Sequence, residues 1–159
     1  MKRLMLLLLV LTCFSLCACV SREYKQLSFL EGAFEADVEG TFRGVSFAGK
    51  LSCAAASENG VRVATFTFYA PSELAGTRVI RDETGELKLS VDDVTVQAPQ
   101  TYETLLTLFS LGRVSDVVRE HEGTRITGEN ASLLLDSNGI PLSIENGEIV
   151  ARVLCFSQK

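Results

Sequence analysis

From Ala33 onward the chain alternates apolar and polar residues with a period of two, and this pattern most constrains its fold. Phe34, Ala36, Val38 and Phe42 share one parity, while Glu35, Asp37, Glu39, Thr41 and Arg43 take the other. Residues two apart point to the same face of a strand, so such a run buries one face and wets the other. An antiparallel sheet with one solvated side has this signature. Val45 to Ala55 repeats the pattern and leads to Glu58-Asn59-Gly60. Asn-Gly between two alternating runs predicts a hairpin, because a type I′ turn needs positive φ at both central positions.

The same logic extends along the chain. In Val61 to Ala70 the apolar parity changes near Ala64-Thr65, which predicts a bulge and a bent sheet. Pro71 to Ala75 punctuates, and Thr77 to Arg81 pairs forward through Thr84-Gly85 with Glu86 to Val91. Asp92-Asp93 precedes Val94, Val96 and Ala98; neighbouring carboxylates on a strand face opposite ways, so a bend is expected there and not an acid–base pair. Thr101 then offers a helix N-cap, and Tyr102, Leu105, Leu106 and Phe109 repeat at helical spacing. Leu111-Gly112 interrupts, and Val114, Val117 and Val118 continue, which predicts a broken amphipathic helix lying over the sheet. Strands resume at Thr124, and Asp136-Ser137-Asn138-Gly139 and Asn146-Gly147 supply two more hairpin signals. The fold class expected is mainly β (α+β): one curved antiparallel meander, a half β-barrel, with an inserted broken helix packed over it. A sheet of about eight or more strands is too wide to stay flat.

The start of the chain reads differently. Met1-Lys2-Arg3 is basic, and Leu4 to Leu16 is apolar apart from Thr12 and Ser15. As a helix this run spans roughly 20 Å, short of the roughly 30 Å of hydrocarbon a membrane span must cross, so it reads as the h-region of a signal peptide. Leu16-Cys17-Ala18-Cys19 resembles the lipobox of bacterial lipoproteins, with a leucine three residues before the cysteine and a small residue just before it. The resemblance implies cleavage after residue 18 and acylation of Cys19, giving an exported protein anchored to a bacterial membrane and facing the periplasm or the cell exterior. Cys13 and Cys17 fit less well, being preceded by Thr12 and Leu16. The expected organisation is a signal peptide at 1–18, a lipidated N-terminus and tether at 19–29, and one domain at 30–159.

Removal of the signal leaves 141 residues with 13 basic and 20 acidic side chains, a net charge of about −7. Such a domain suits neither nucleic acid nor anionic lipid surfaces, so membrane attachment falls to the anchor. Cys53 and Cys155 survive processing, and each lies in line with the apolar parity of its run. Both are therefore expected to face the core. Outside the cytoplasm they could form a disulfide closing about 100 residues, or remain two buried thiols.

A lipobox, a curved antiparallel meander, a helical segment after the first strand group and a closing hairpin together resemble the LolA/LolB/LppX-like family of periplasmic lipid carriers. Local wording is similar as well, in Pro71-Ser72-Glu73-Leu74-Ala75-Gly76 and in Leu133-Leu134-Leu135-Asp136 with Gly139-Ile140-Pro141. The resemblance implies a half-barrel whose apolar cavity, lidded by helix, holds acyl chains. Candidate lining residues are Phe47, Leu51, Phe66, Phe68, Leu105, Phe109, Ile144 and Val153, each of which equally suits plain core.

Chemistry-bearing motifs are absent. His121, the only histidine, sits in Glu120-His121-Glu122, which is not a His-Glu-x-x-His metal motif, and its place near the expected helix C-terminus gives it an electrostatic explanation. There is no Gly-x-Ser-x-Gly elbow, phosphate loop or dinucleotide fingerprint. No enzyme, metal or cofactor is expected. The reading is a membrane-anchored lipoprotein that binds a hydrophobic ligand; the alternative is a structural lipoprotein with a solid core that meets another envelope protein.

Overall fold

The alternating runs become eleven strands in a computed structural model, which describes Leu27, residues 29–55, Ser57 and residues 60–159. The expected signal segment, the lipobox-like stretch with Cys19, the expected tether through Gln26 and the Glu58-Asn59 pair lie outside the described residues. The strands are β1 (Phe34–Phe42), β2 (Val45–Cys53), β3 (Ala64–Ala70), β4 (Arg78–Arg81), β5 (Leu87–Val91) and β6 (Val94–Gln97). After a 3-10 turn (Gln100–Tyr102) and a single-turn helix α1 (Glu103–Leu106) come β7 (Val114–Arg119), β8 (Thr124–Gly128), β9 (Ser132–Leu135), β10 (Pro141–Glu145) and β11 (Ile149–Gln158).

All eleven form one antiparallel sheet in the order β6-β5-β4-β3-β2-β1-β11-β10-β9-β8-β7. Two meanders thus spread from a central β1–β11 pair, and β6 and β7, consecutive in the chain, end up at opposite edges. Residues 98–113 must cross from one edge to the other, and α1 lies on that crossing. The segment crosses the inner face because its apolar residues demand it: Leu105, Leu106, Leu108, Phe109 and Leu111 are all buried. They belong to one core cluster with Phe34, Val38, Leu51, Phe66, Leu133 and Ile144 of the sheet. Fully burying such a side chain contributes roughly 1.5–3 kcal/mol, so this crossing is held far more strongly than one helical turn could hold itself.

Short polar turns fix the register. Arg43 (φ 51°) and Gly44 (φ 82°) form the two-residue β1–β2 turn, with Phe42 opposite Val45. Asp82 organises the β4–β5 turn by accepting from the backbone and hydroxyl of Thr84 and from the Glu86 N–H. Asp92 (φ 49°) opens the β5–β6 turn, so the adjacent carboxylates do mark a bend. Asp136 accepts from the N–H groups of Asn138 and Ile140, and Asn146 from those of Glu148 and Ile149. The Asn146-Gly147 hairpin forms without positive φ at either residue, because the Asn146 side chain replaces the type I′ backbone geometry.

Four expectations are corrected. The continuation of the helix through Val114, Val117 and Val118 is strand β7 instead. A register irregularity between Val114 and Asp116 leaves Ser115 as the extra residue, turning the two-residue period into a spacing of three that imitates a helix. Thr101 is no N-cap: it lies inside the 3-10 turn, and neither that turn nor α1 has a side-chain cap. The bulge expected near Ala64-Thr65 is absent, since β3 begins at Ala64 and keeps one parity. The irregularity lies further on, where Ala48 pairs with Ala70 and Gly49 with Phe68.

Finally, Cys155 does not face the core. Asp37 of β1 pairs with Cys155 and Val38 with Val153, so Leu154 is a bulge residue that reverses the parity of the rest of β11. Cys155 is exposed and Phe156 turns inward; Cys53 is buried, opposite Phe34. The two thiols are free and lie on opposite faces of the sheet, separated by β1.

Candidate functional site: a cleft under the crossing segment

A cleft of about 650 Å³ opens between the sheet, the crossing segment and the first described residues of the chain. Its apolar wall comes from Leu27, Leu30, Phe34, Leu51, Leu106 and Phe109, and its polar rim includes Arg62, Arg81, Glu103, Thr107 and Ser110. Leu27 and Leu30 thus bring the first described residues against the core.

Phe34 anchors the apolar side. Its ring meets Phe109 edge-on at 5.2 Å and stacks with Phe156 at 5.5 Å, while Phe29 meets Phe156 edge-on at 5.1 Å. These contacts join sheet centre, crossing segment and N-terminal turn in one aromatic cluster. The reversed parity after Leu154 is what delivers Phe156 to it.

Arg62 lies over Phe34, with its guanidinium carbon 5.2 Å from the ring centroid. It donates to the Ala54 carbonyl at 2.7 Å and to the Gly32 carbonyl, tying the β2–β3 loop to the N-terminal segment. Arg81 donates to the Arg62 carbonyl at 2.9 Å and reaches the Glu103 carboxylate of α1 at 3.6 Å. Cys53 lines the same cleft within reach of both guanidinium charges, and burial nevertheless pushes its thiol up to about 11. Desolvation outweighs the two cations, so Cys53 stays protonated at neutral pH and behaves as an apolar wall residue, not a nucleophile.

All eight residues singled out from the sequence pack in or against one core cluster. Leu51 and Phe109 line the cleft; Phe47, Phe66, Phe68, Leu105, Ile144 and Val153 do not. Phe47, Phe66 and Phe68 interlock edge-on at 5.8 and 5.0 Å as solid packing. Sequence reasoning missed Phe34 and the two arginines. A signal for Arg81 was present: it shares the inward parity of Val79 and pairs with buried Ala64, an unusual position for a charge.

His121 is exposed in the β7–β8 turn, far in sequence from α1, so the electrostatic role expected at a helix end is not what it has. It shares a shallow groove with Asp136 and Ser137. The Asp136 carboxylate is occupied by its own turn, and among the described residues no hydrogen bond joins His121 to either neighbour. No three His, Cys, Asp or Glu side chains gather as a metal site among the described residues.

The arrangement defines a class first: an open antiparallel half-barrel crossed by a short helical segment, with a cleft between the two. Solved structures resemble this arrangement to different degrees. An uncharacterized conserved protein from Thermus thermophilus superposes with a TM-score of 0.52 at 15% identity, over 89% of this chain and 88% of that one. A LolA superfamily protein from Nitrosomonas europaea gives 0.41 at 8% identity, over 81% and 87%. MucB gives 0.48 at 15% identity, over 87% of this chain but 59% of MucB. At 15% identity the likeness to the Thermus thermophilus protein is one of fold alone. No protein-family model matches the sequence, and no curated protein matches it significantly.

Proposed function

We propose that the protein is an exported envelope lipoprotein, anchored through acylated Cys19, that binds or carries a hydrophobic ligand such as a lipid acyl chain, without catalysis. The observation that carries this reading is the cleft, whose wall is built from large apolar side chains while its opening is polar. Its size falls within the ordinary range of small-molecule sites. Binding would be driven by desolvation at about 25 cal/mol per Å² of apolar area and needs no reactive group. The domain's net acidity and the lipobox together support a covalent anchor as the means of membrane attachment.

Native and denaturing mass spectrometry of the full chain purified from membranes tests this. A covalent anchor persists in both spectra, whereas a cleft ligand appears only in the native one. Identical lipid mass in both, with no uptake of an added apolar probe, sinks the reading.

One observation favours a second reading, a protein-interaction lipoprotein. Edge strand β6 has one free backbone edge among the described residues and carries the exposed Val94 and Val96, a combination suited to pairing with another chain. An envelope protein cross-linked to β6 and lost in Val96→Lys, without any released lipid, would support it.

A further inference from the structure

Resting on the ligand-binding reading, we propose that the cleft selects amphiphiles with an anionic head group, the head held by Arg62 and Arg81 and the tail lying against Phe34, Leu51 and Phe109. Two guanidiniums stand on the rim of a cleft whose domain is otherwise net acidic. Arg81 is offset by Glu103 at 3.6 Å, but Arg62 has no carboxylate partner among the described residues. Its identified bonds go to two backbone carbonyls, which carry no net charge. A guanidinium has five N–H donors, so donors remain on Arg62 after those bonds. Both arginines lie on the inner side: Arg81 by its pairing with buried Ala64, and Arg62 by lying over the Phe34 ring. Charges placed on the inner side of a sheet cost desolvation, and an anion arriving at the rim would recover it.

The rim also sits directly above the apolar wall, because Arg62 covers Phe34. One molecule can therefore touch both, and the required ligand is a chain ending in a carboxylate or phosphate, not a neutral lipid and not a free anion. The source this fits is membrane amphiphile, since the segment leading to Leu27 comes from the proposed anchor at Cys19. Leu27 stands eight positions after Cys19, a reach of at most roughly 29 Å.

The test compares dodecanoate, dodecyl phosphate, dodecanol and inorganic phosphate on the delipidated full chain by isothermal calorimetry. Both anionic amphiphiles should bind about tenfold tighter than dodecanol at low salt, with the preference shrinking at high salt. Inorganic phosphate alone should bind far more weakly than dodecyl phosphate. Arg62→Lys should keep the preference, while Arg62→Gln and Arg81→Gln should each bring the ratio toward one; circular dichroism confirms that each variant is folded. Equal affinity for dodecanol and dodecanoate, or a preference intact in both glutamine variants, overturns the inference and leaves the ligand-binding function standing. Inorganic phosphate binding as tightly as dodecyl phosphate overturns it too. Failure of every amphiphile to bind removes the function itself.

Discussion

The sharpest consequence of the fold concerns the two cysteines of the domain. If Leu154 is a bulge, Cys155 lies on the wet face and Cys53 on the inner face, and alkylation of the folded protein should separate them by orders of magnitude. The Cys53 thiol is raised from an ordinary 9.0 to about 11, which lowers its reactive thiolate fraction near neutral pH about a hundredfold before any steric exclusion. Burial then adds the requirement for local opening. The assay is timed iodoacetamide labelling at pH 8 with peptide mapping, which also resolves Cys13, Cys17 and Cys19 where they are present. Cys155 should label at least a hundredfold faster than Cys53, and both should label alike in urea. A Cys155 as protected as Cys53, or a Cys53–Cys155 crosslinked peptide under non-reducing conditions, would refute the bulge and with it the inward turn of Phe156.

Other perturbations report on separate parts of the account. At Gly49 an added Cβ would lie 2.5 Å from the Phe66 ring and from the Thr67 carbonyl, so Gly49→Ala should destabilise by about 1–3 kcal/mol in urea titrations with an unchanged m-value. Glu35 is held down from 4.5 to about 2 by hydrogen bonds from Lys159 and Lys50. A depressed carboxylate stabilises above its unfolded pKa and loses that contribution as pH falls toward 2. Glu35→Gln should therefore lower the thermal midpoint slightly at pH 6 and not at pH 2, and salt should reduce the difference because the pair is exposed. Cys19→Ser should release the protein from the membrane fraction while its circular dichroism stays the same; a variant still processed and membrane-bound would contradict the anchor.

Local pattern carried the strands, and global geometry carried the site. Alternation in Phe34 to Phe42 and the Asp136 and Asn146 turns were legible because each depends on residues a few positions apart. Bulges were not. One extra residue at Ser115 made Val114 and Val117 look helical, and one at Leu154 misplaced Cys155, since a bulge is specified by the partner strand. The cleft was harder still. Phe34 and Phe156 stand 122 positions apart in the sequence, and only the central β1–β11 pairing brings them together. Of the aromatic candidates, Phe66 and Phe68 proved to be packing and Phe109 a cleft wall, and their hydrophobicity alone does not distinguish them. The inward parity of Arg81 was the one local clue to a polar rim.

The central claim is that the space under the crossing segment receives an apolar chain, and photo-crosslinking tests it most directly. A long-chain fatty acid bearing a terminal diazirine, bound to the full chain and irradiated, should label peptides carrying Leu51, Leu106 and Phe109 on the cleft wall. Labelling confined to the convex face around Val150 and Leu154, or no labelling above an unfolded control, would contradict it.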